Sequence, residues 1–171
     1  MRFAVLKNDD VILRALPAWP AGPRTLVSLG DFTAEIARQS PHVSVEPAKD
    51  SQFIAVPASA LSGAIAYTLA ALAKQGVSYT AESFDCEDFV NAVDLTLRMM
   101  AAKAGIKAAP LTACLTVSAS VTWADVMAGG YHAIMATMTD AGVFVSESQN
   151  GQSIALPLYP NRSGIIEVSN L

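Results

Sequence analysis

Residues 111–122, LTACLTVSASVT, alternate without a break. Leu111, Ala113, Leu115, Val117, Ala119 and Val121 fall on one side, with small polar residues and Cys114 on the other. A period of two predicts a half-buried strand, because successive side chains of a strand point to opposite faces. Such a strand pairs along its edges and packs its apolar face under a second layer. The segment before it supplies a helix. Val90, Val93, Leu97 and Met100 recur at steps of three and four, and Gly105 ends a helix that runs from Cys86 to about Ala104. Downstream, HAIMATMT and VFVSES flank Asp140-Ala141-Gly142 and read as a hairpin, with SIALPLYP and GIIEV finishing the sheet. A helix followed by antiparallel strands gives an α+β class.

The first half is more broken. RFAVLK and VILRAL read as two strands around Asn8-Asp9-Asp10, PAWPAGP as a rigid connector and TLVSLG as a short strand. Asp31 is the expected N-cap of the helix FTAEIARQ, which Ser40-Pro41 ends. VSVEP and FIAVP read as short strands, and a helix from Ser59 to Lys74 stops at Gly76. The 171 residues fit a single domain, with 1–76 as an N-terminal α/β elaboration and 77–171 as the core.

Hydrophobic residues make up 52% and charged residues 15%, enough apolar surface for a sizeable core. The net charge of −4 and the lack of a basic face argue against a nucleic-acid partner. Residues 53–73 carry no charge, but Pro57 interrupts them. Leu61, Ile65, Leu69 and Leu72 then form one stripe, so a buried helix is expected rather than a membrane span. MRFAVLKNDDVILRAL lacks a continuous apolar run, and nothing requires the two cysteines to pair. A cytoplasmic, reducing location is the expectation.

One of those cysteines stands at the mouth of the long helix. With Asp85 as N-cap, Cys86 is the first helical residue and Asp88 the third. Asp-x-x-Asp is close to a capping box, and Phe84 and Phe89 hold the two staple positions. Free N–H groups and the helix dipole ease ionisation of a thiol there and can hold an oxyanion. Asp85, Glu87 and Asp88 oppose a further negative charge. The plain alternative is a small buried hydrophobe.

His132 follows Gly129-Gly130-Tyr131 and begins a strand, whereas His42 has no evident companion and reads as structural or exposed. A helix-borne cysteine with a strand-borne histidine downstream is the layout of cysteine hydrolases. A third residue to orient the ring would come from Glu147, Gln149 or Asn150, depending on hairpin register. A three-residue Asp140–Gly142 loop sets Thr139 against Val143 and His132 against Asn150, with Ser148 on the same face. A loop one residue longer is expected to bring Gln149 opposite the ring, with Glu147 on its face. Cys114 reads as packing, with no partner at zinc spacing.

YTAESFDCEDFVNAV, YHAIMA and GVFVSESQNG together resemble a transglutaminase-like, papain-fold family of small phage and bacterial proteins, to which the protease domain of a mushroom agglutinin is similar. That family shows a Phe-Asp-Cys-Asp-Asp-Phe core, a His-Ala opening a strand, and a Glu-Pro-Gln-Thr-Gly-like turn. The matching pieces are Phe84–Phe89, His132-Ala133 and Glu147–Gly151. The resemblance implies a papain-like core with the nucleophile helix packed on an antiparallel sheet. It implies Cys86 as nucleophile, His132 as base and Glu147 as orienting acid. Ser148 stands where the family has proline, and Ile134 and Met135 where it often has an aromatic residue and asparagine. Some relatives depend on calcium, for which Asp85, Glu87 and Asp88 offer hard oxygen ligands; capping plus a solvated face is the simpler use of the same acids. No other cofactor is expected.

Two functional classes follow. The first is a cysteine-dependent amide hydrolase or acyl transferase acting on a peptide or protein, with Gln52 and Thr80 as polar candidates near the oxyanion. Cell-wall amidohydrolases of the CHAP and NlpC type share the layout. The second is a non-catalytic binding module on the same fold, such as a phage factor that occupies a host protein.

Overall fold

The computed structural model describes residues 15–48, 50–78, 85–125 and 130–169. The hairpin expected around Asn8–Asp10 lies outside them, save its last two residues. The alternating segment becomes β5 (Thr112–Ser118), the third strand of a six-stranded sheet. That sheet runs β2 (Ser44–Val45), β9 (Ile165–Ser169), β5, β6 (Tyr131–Thr139), β7 (Gly142–Ser146), β8 (Ser153–Ala155). All its pairings are antiparallel except β2 with β9. The GIIEV segment is therefore an interior strand beside β5. The LPL of SIALPLYP is a short 3-10 turn, Leu156–Leu158. A smaller sheet joins β1 (Leu26–Val27), β3 (Phe53–Ile54) and β4 (Ala109–Pro110). Strands from the first 76 residues thus pair with strands from the rest, β2 on β9 and β3 on β4.

The expected half-buried strand is buried on both sides. Leu111, Ala113, Leu115 and Val117 join Ile134, Ala136, Val143 and Val145 in one core, closed by Phe32 and Ile36 of helix α1 (Leu29–Gln39). The opposite face carries Cys114, Ala133 and Met135, which pack with α2 (Ala58–Lys74) and α3 (Cys86–Lys103). Small side chains make that second layer possible, because Cys, Ala and Thr let a helix approach closely where larger ones would hold it off. Val121 lies past the end of β5 and is exposed.

Two helix readings shift. Ser28, not Asp31, caps α1: its Oγ accepts the Asp31 N–H at 3.2 Å, so the helix gains Leu29 and Gly30 and Asp31 becomes its third residue. The buried face of α2 is Ala60, Leu61, Ala64, Ile65 and Thr68, while Leu69 and Leu72 are only half-buried. Its partner face explains the change. Thr68 hydrogen-bonds Thr96 of α3 at 2.8 Å in a buried pair, and the alanines allow the two helices to close on it. No helix among the described residues is long and apolar enough to cross a membrane.

α3 follows expectation closely. Val90, Val93, Leu97 and Met100 are all buried, and Gly105, at φ 71°, terminates the helix in the left-handed conformation that glycine adopts without cost from a Cβ. Arg98 bridges Asp94 and Asp50, both at 2.7 Å, and the other Asp94 oxygen takes the Thr112 hydroxyl, tying the middle of α3 to β5. Leu97→Ala should lower unfolding free energy by about 2–5 kcal/mol in urea titration, since the cavity opens between two layers that cannot close on it.

Candidate functional site

The start of α3 is built from local bonds. Asp85 Oδ1 accepts the N–H groups of Glu87 (3.0 Å) and Asp88 (3.4 Å), and Asp88 Oδ2 accepts the Asp85 N–H at 3.2 Å. This is a complete capping box. It fixes Cys86 as the first residue of the helix, at the head of the buried stripe. Phe89 is buried as a staple residue should be, and Phe84 lies outside the described residues.

Hairpin register then decides what meets the thiol. Thr139 pairs with Gly142, whose φ of 105° closes a two-residue tip at Asp140-Ala141. Neither expected loop length is found: the tip is one residue shorter than the three-residue loop, not longer, and it is this shorter tip that puts Glu147 on the face of His132. Pairing of β7 with β6 stops at Met135–Ser146. Continued, it would set Ser148 against Ala133. Instead the chain turns: the Glu147 carbonyl accepts from Gly151 N–H at 2.7 Å, and Gly151 has φ 82°. The position left open at Ala133 is taken by sulfur, with the Ala133 N–H donating to Cys86 Sγ at 3.3 Å.

His132 and Glu147 meet at 2.6 Å, Nε2 to Oε2, with side-chain exposures of 12% and 1%. The other carboxylate oxygen accepts the Gln149 N–H at 3.0 Å, which fixes its orientation. Gln149, named as a candidate, therefore acts through its backbone; the ring partner is Glu147. Asn150 turns away from the ring: its amide donates to Ala124 O, and its Oδ1 accepts from Gln152 N–H at 3.1 Å.

Cys86, His132 and Glu147 thus converge, and their electrostatics fit an ion pair. Burial pushes the Cys86 thiol up, but hydrogen bonding from His132 and from the Ala133 amide, with the imidazolium charge, outweigh burial and the Asp85 carboxylate, so the net direction is down. Burial pulls His132 down, yet hydrogen bonds to Cys86 and Glu147 and their charges raise it to about 9. Both shifts favour moving the proton from sulfur to nitrogen. Cys114 goes the other way: burial, with the Glu87 charge behind it, pushes it up to about 12, as suits a packing residue.

His42 is exposed. Of the acids offered as calcium ligands, Asp85 and Asp88 turn carboxylate oxygens onto helix amides, and Glu87 is exposed. Among the described residues, no group of three or more His, Cys, Asp or Glu is placed to hold a metal. Gln52 sits elsewhere, its carbonyl bonded to Ala109 N–H. Its near neighbour Asp50 binds Arg98, about 18 Å along α3 from Cys86. Thr80 lies outside the described residues.

Sequence reasoning missed the wall behind the ring. Ala119, Val121, Trp123, Tyr159 and Asn161 enclose a cavity of about 10 Å³ against His132 and Glu147. Trp123 and Tyr159 meet edge to face, with ring centres 5.1 Å apart. No local motif announces these residues; they come from two separate loops. A wider groove of about 520 Å³ runs between α1 and the hairpin tip and includes none of the three converging residues.

No protein-family model matches the chain, and neither does a curated protein. Solved structures do. A PSL1a–E64 complex is 20% identical over 76% of this chain and 46% of its own, with a TM-score of 0.50. A Polyporus squamosus lectin bound to the human-type influenza-binding epitope Neu5Aca2-6Galb1-4GlcNAc is 16% identical over 75% of this chain and 45% of its own, with a TM-score of 0.55. At these identities the likeness is one of fold. The chain spans somewhat under half the length of either neighbour.

Two predictions follow from the geometry. Asp85→Ala should destabilise the protein by about 1 kcal/mol through loss of the cap, while lowering the thiol's pKa because a carboxylate beside it is gone. Calorimetry and ultraviolet thiolate absorbance read the two effects separately. In wild type the His132 imidazolium should persist to about pH 9, and Glu147→Gln should bring its NMR titration midpoint down. Because the folded value lies above the ordinary 6.5, the ion pair's stabilisation is full below pH 6.5 and is lost as pH rises through about 9. The Glu147→Gln variant should show a smaller loss at lower pH, because Cys86 still raises the ring.

Proposed function

We propose that the chain is a cysteine-dependent amide hydrolase or acyl transferase on a papain-like, transglutaminase-like scaffold. The observation that carries this reading is the convergence of Cys86, His132 and Glu147, with sulfur on the Ala133 amide and the carboxylate at 2.6 Å behind the ring. His132 holds the Cys86 proton, and the thiolate attacks the carbonyl carbon of an amide. The capping box engages the Glu87 and Asp88 amides. The Cys86 N–H, outside the box, is the donor for the developing oxyanion. Collapse breaks the C–N bond, and His132 gives its proton to the departing amine. Water, deprotonated by His132, then attacks the thioester and releases the acid and the free thiol; an amine in its place gives transamidation. Peptides and proteins are the substrate class. The fold likeness to a protein solved with E64 fits this reading.

A second reading is a binding module on the same scaffold. The Asp85 carboxylate favours it, because it opposes the thiolate that catalysis needs.

Alkylation separates the two. With iodoacetamide or the epoxide E64 at pH 6–7, mass spectrometry should find Cys86 labelled far ahead of Cys114. His132→Ala should slow Cys86 labelling about a hundredfold. Equal, slow labelling of both cysteines in the wild type would leave the binding module.

A further inference from the structure

The wall over the ring pair is held from two sides. The segment 120–125 carries Val121 and Trp123 against His132 and Glu147. Its end is strained: Ala124 and Asp125 have φ of 54° and 62°, a conformation that non-glycine residues hold only when their surroundings impose it. Asn161, 3% exposed, takes the Ser120 and Val121 N–H groups on Oδ1 (3.0 and 2.8 Å) and donates to Val121 O at 2.7 Å. Asn150, on the turn that carries Glu147, donates to Ala124 O. The Glu147 carboxylate and the strained wall are therefore joined through one side chain three residues away.

We propose that Asn150 and Asn161 are positioning residues, which clamp the 120–125 segment over the His132–Glu147 pair and keep that pair out of water. A charged hydrogen bond weakens when water reaches it, so an open wall loosens the hold of Glu147 on the ring. The groups facing the ring are Glu147 from the turn and Cys86 from α3; Asp85 acts on Cys86, and Tyr159 faces Glu147 from the far loop. Tyr159, which burial pushes up to about 12, stays neutral over the working range. Glu147 is thus the carboxylate whose grip on the ring the wall modulates. The inference rests on the catalytic reading only for its consequence; the clamp itself is testable without it.

The test uses the full chain with Asn150→Ser, which retains a hydroxyl to accept the Gln152 N–H but is too short for Ala124 O, and with Asn161→Ala. The readouts are the His132 titration midpoint by nitrogen-15 NMR, the pH profile of Cys86 alkylation by iodoacetamide, and the melting temperature. Water relieves the burial that lowers the ring and weakens the bonds that raise it. Because the bonds outweigh burial in the intact site, the expected result is a midpoint moved from about 9 back toward 6.5, by about one pH unit in each variant, with slower Cys86 alkylation at pH 6. A lowered melting temperature with an unmoved midpoint would overturn the proposal, since a merely structural clamp predicts that outcome. If Asn161→Ala fails to fold, Asn150→Ser decides alone. Failure of the catalytic reading would show instead in the wild type, as a Cys86 no more reactive than Cys114, while the histidine midpoint still reports the clamp.

Discussion

The seating of α3 on the small-residue face of β5 and β6 governs the rest of the molecule. Cys114 and Ala133 present little bulk there, so the helix carrying Val90, Val93, Leu97 and Met100 lies close to the sheet. Its first residue then falls at the edge of β6, where β7 has already turned away. The Ala133 N–H, without a strand partner at that point, finds a sulfur atom. A larger residue at 114 or 133 would lift the helix start and strand a backbone donor.

From that contact the electrostatics follow. Burial alone would keep the thiol protonated and the imidazole neutral. The Cys86–His132 hydrogen bond, with the Ala133 amide on the sulfur and the buried Glu147 carboxylate on the ring, reverses both tendencies. The carboxylate is held by the amide of Gln149, and the turn it stands on closes through Gly151. An added Cβ at Gly151 would approach Ile65 of α2 to 3.2 Å, so α2 fixes the turn as well as packing on α3. Asp85 works in the opposite sense to the imidazolium. It makes the helix start rigid and, by its charge, restrains the thiol that it positions.

The parts legible in the sequence are those whose causes are local. The capping box at Asp85 and Asp88 needs only four residues, and the run from Val90 to Met100 needs only helical periodicity. The same locality explains where reading failed. Asp31 and Ser28 are equally good caps by type, and the choice between them turned on whether Leu29 and Gly30 could join the helix. The Thr and Cys face of 111–122 looked solvent-facing because polarity was taken as exposure, when small size was what mattered.

By itself the sequence determined where α3 begins, which residue heads it and that a hairpin follows; beside Cys86 and His132 it left Glu147, Gln149 and Asn150 open, and the resemblance alone singled out Glu147. The first three follow from contacts within a few residues or from a simple period. Only the tertiary structure decided that Glu147 rather than Asn150 stands behind the ring, that both faces of β5 are covered, and that a wall from residues 119–123 and 159–161 closes over the pair. Those outcomes depend on hairpin register and on segments some forty residues apart meeting in space. A one-residue slip or a different layer order leaves every local signal intact while changing which side chains touch.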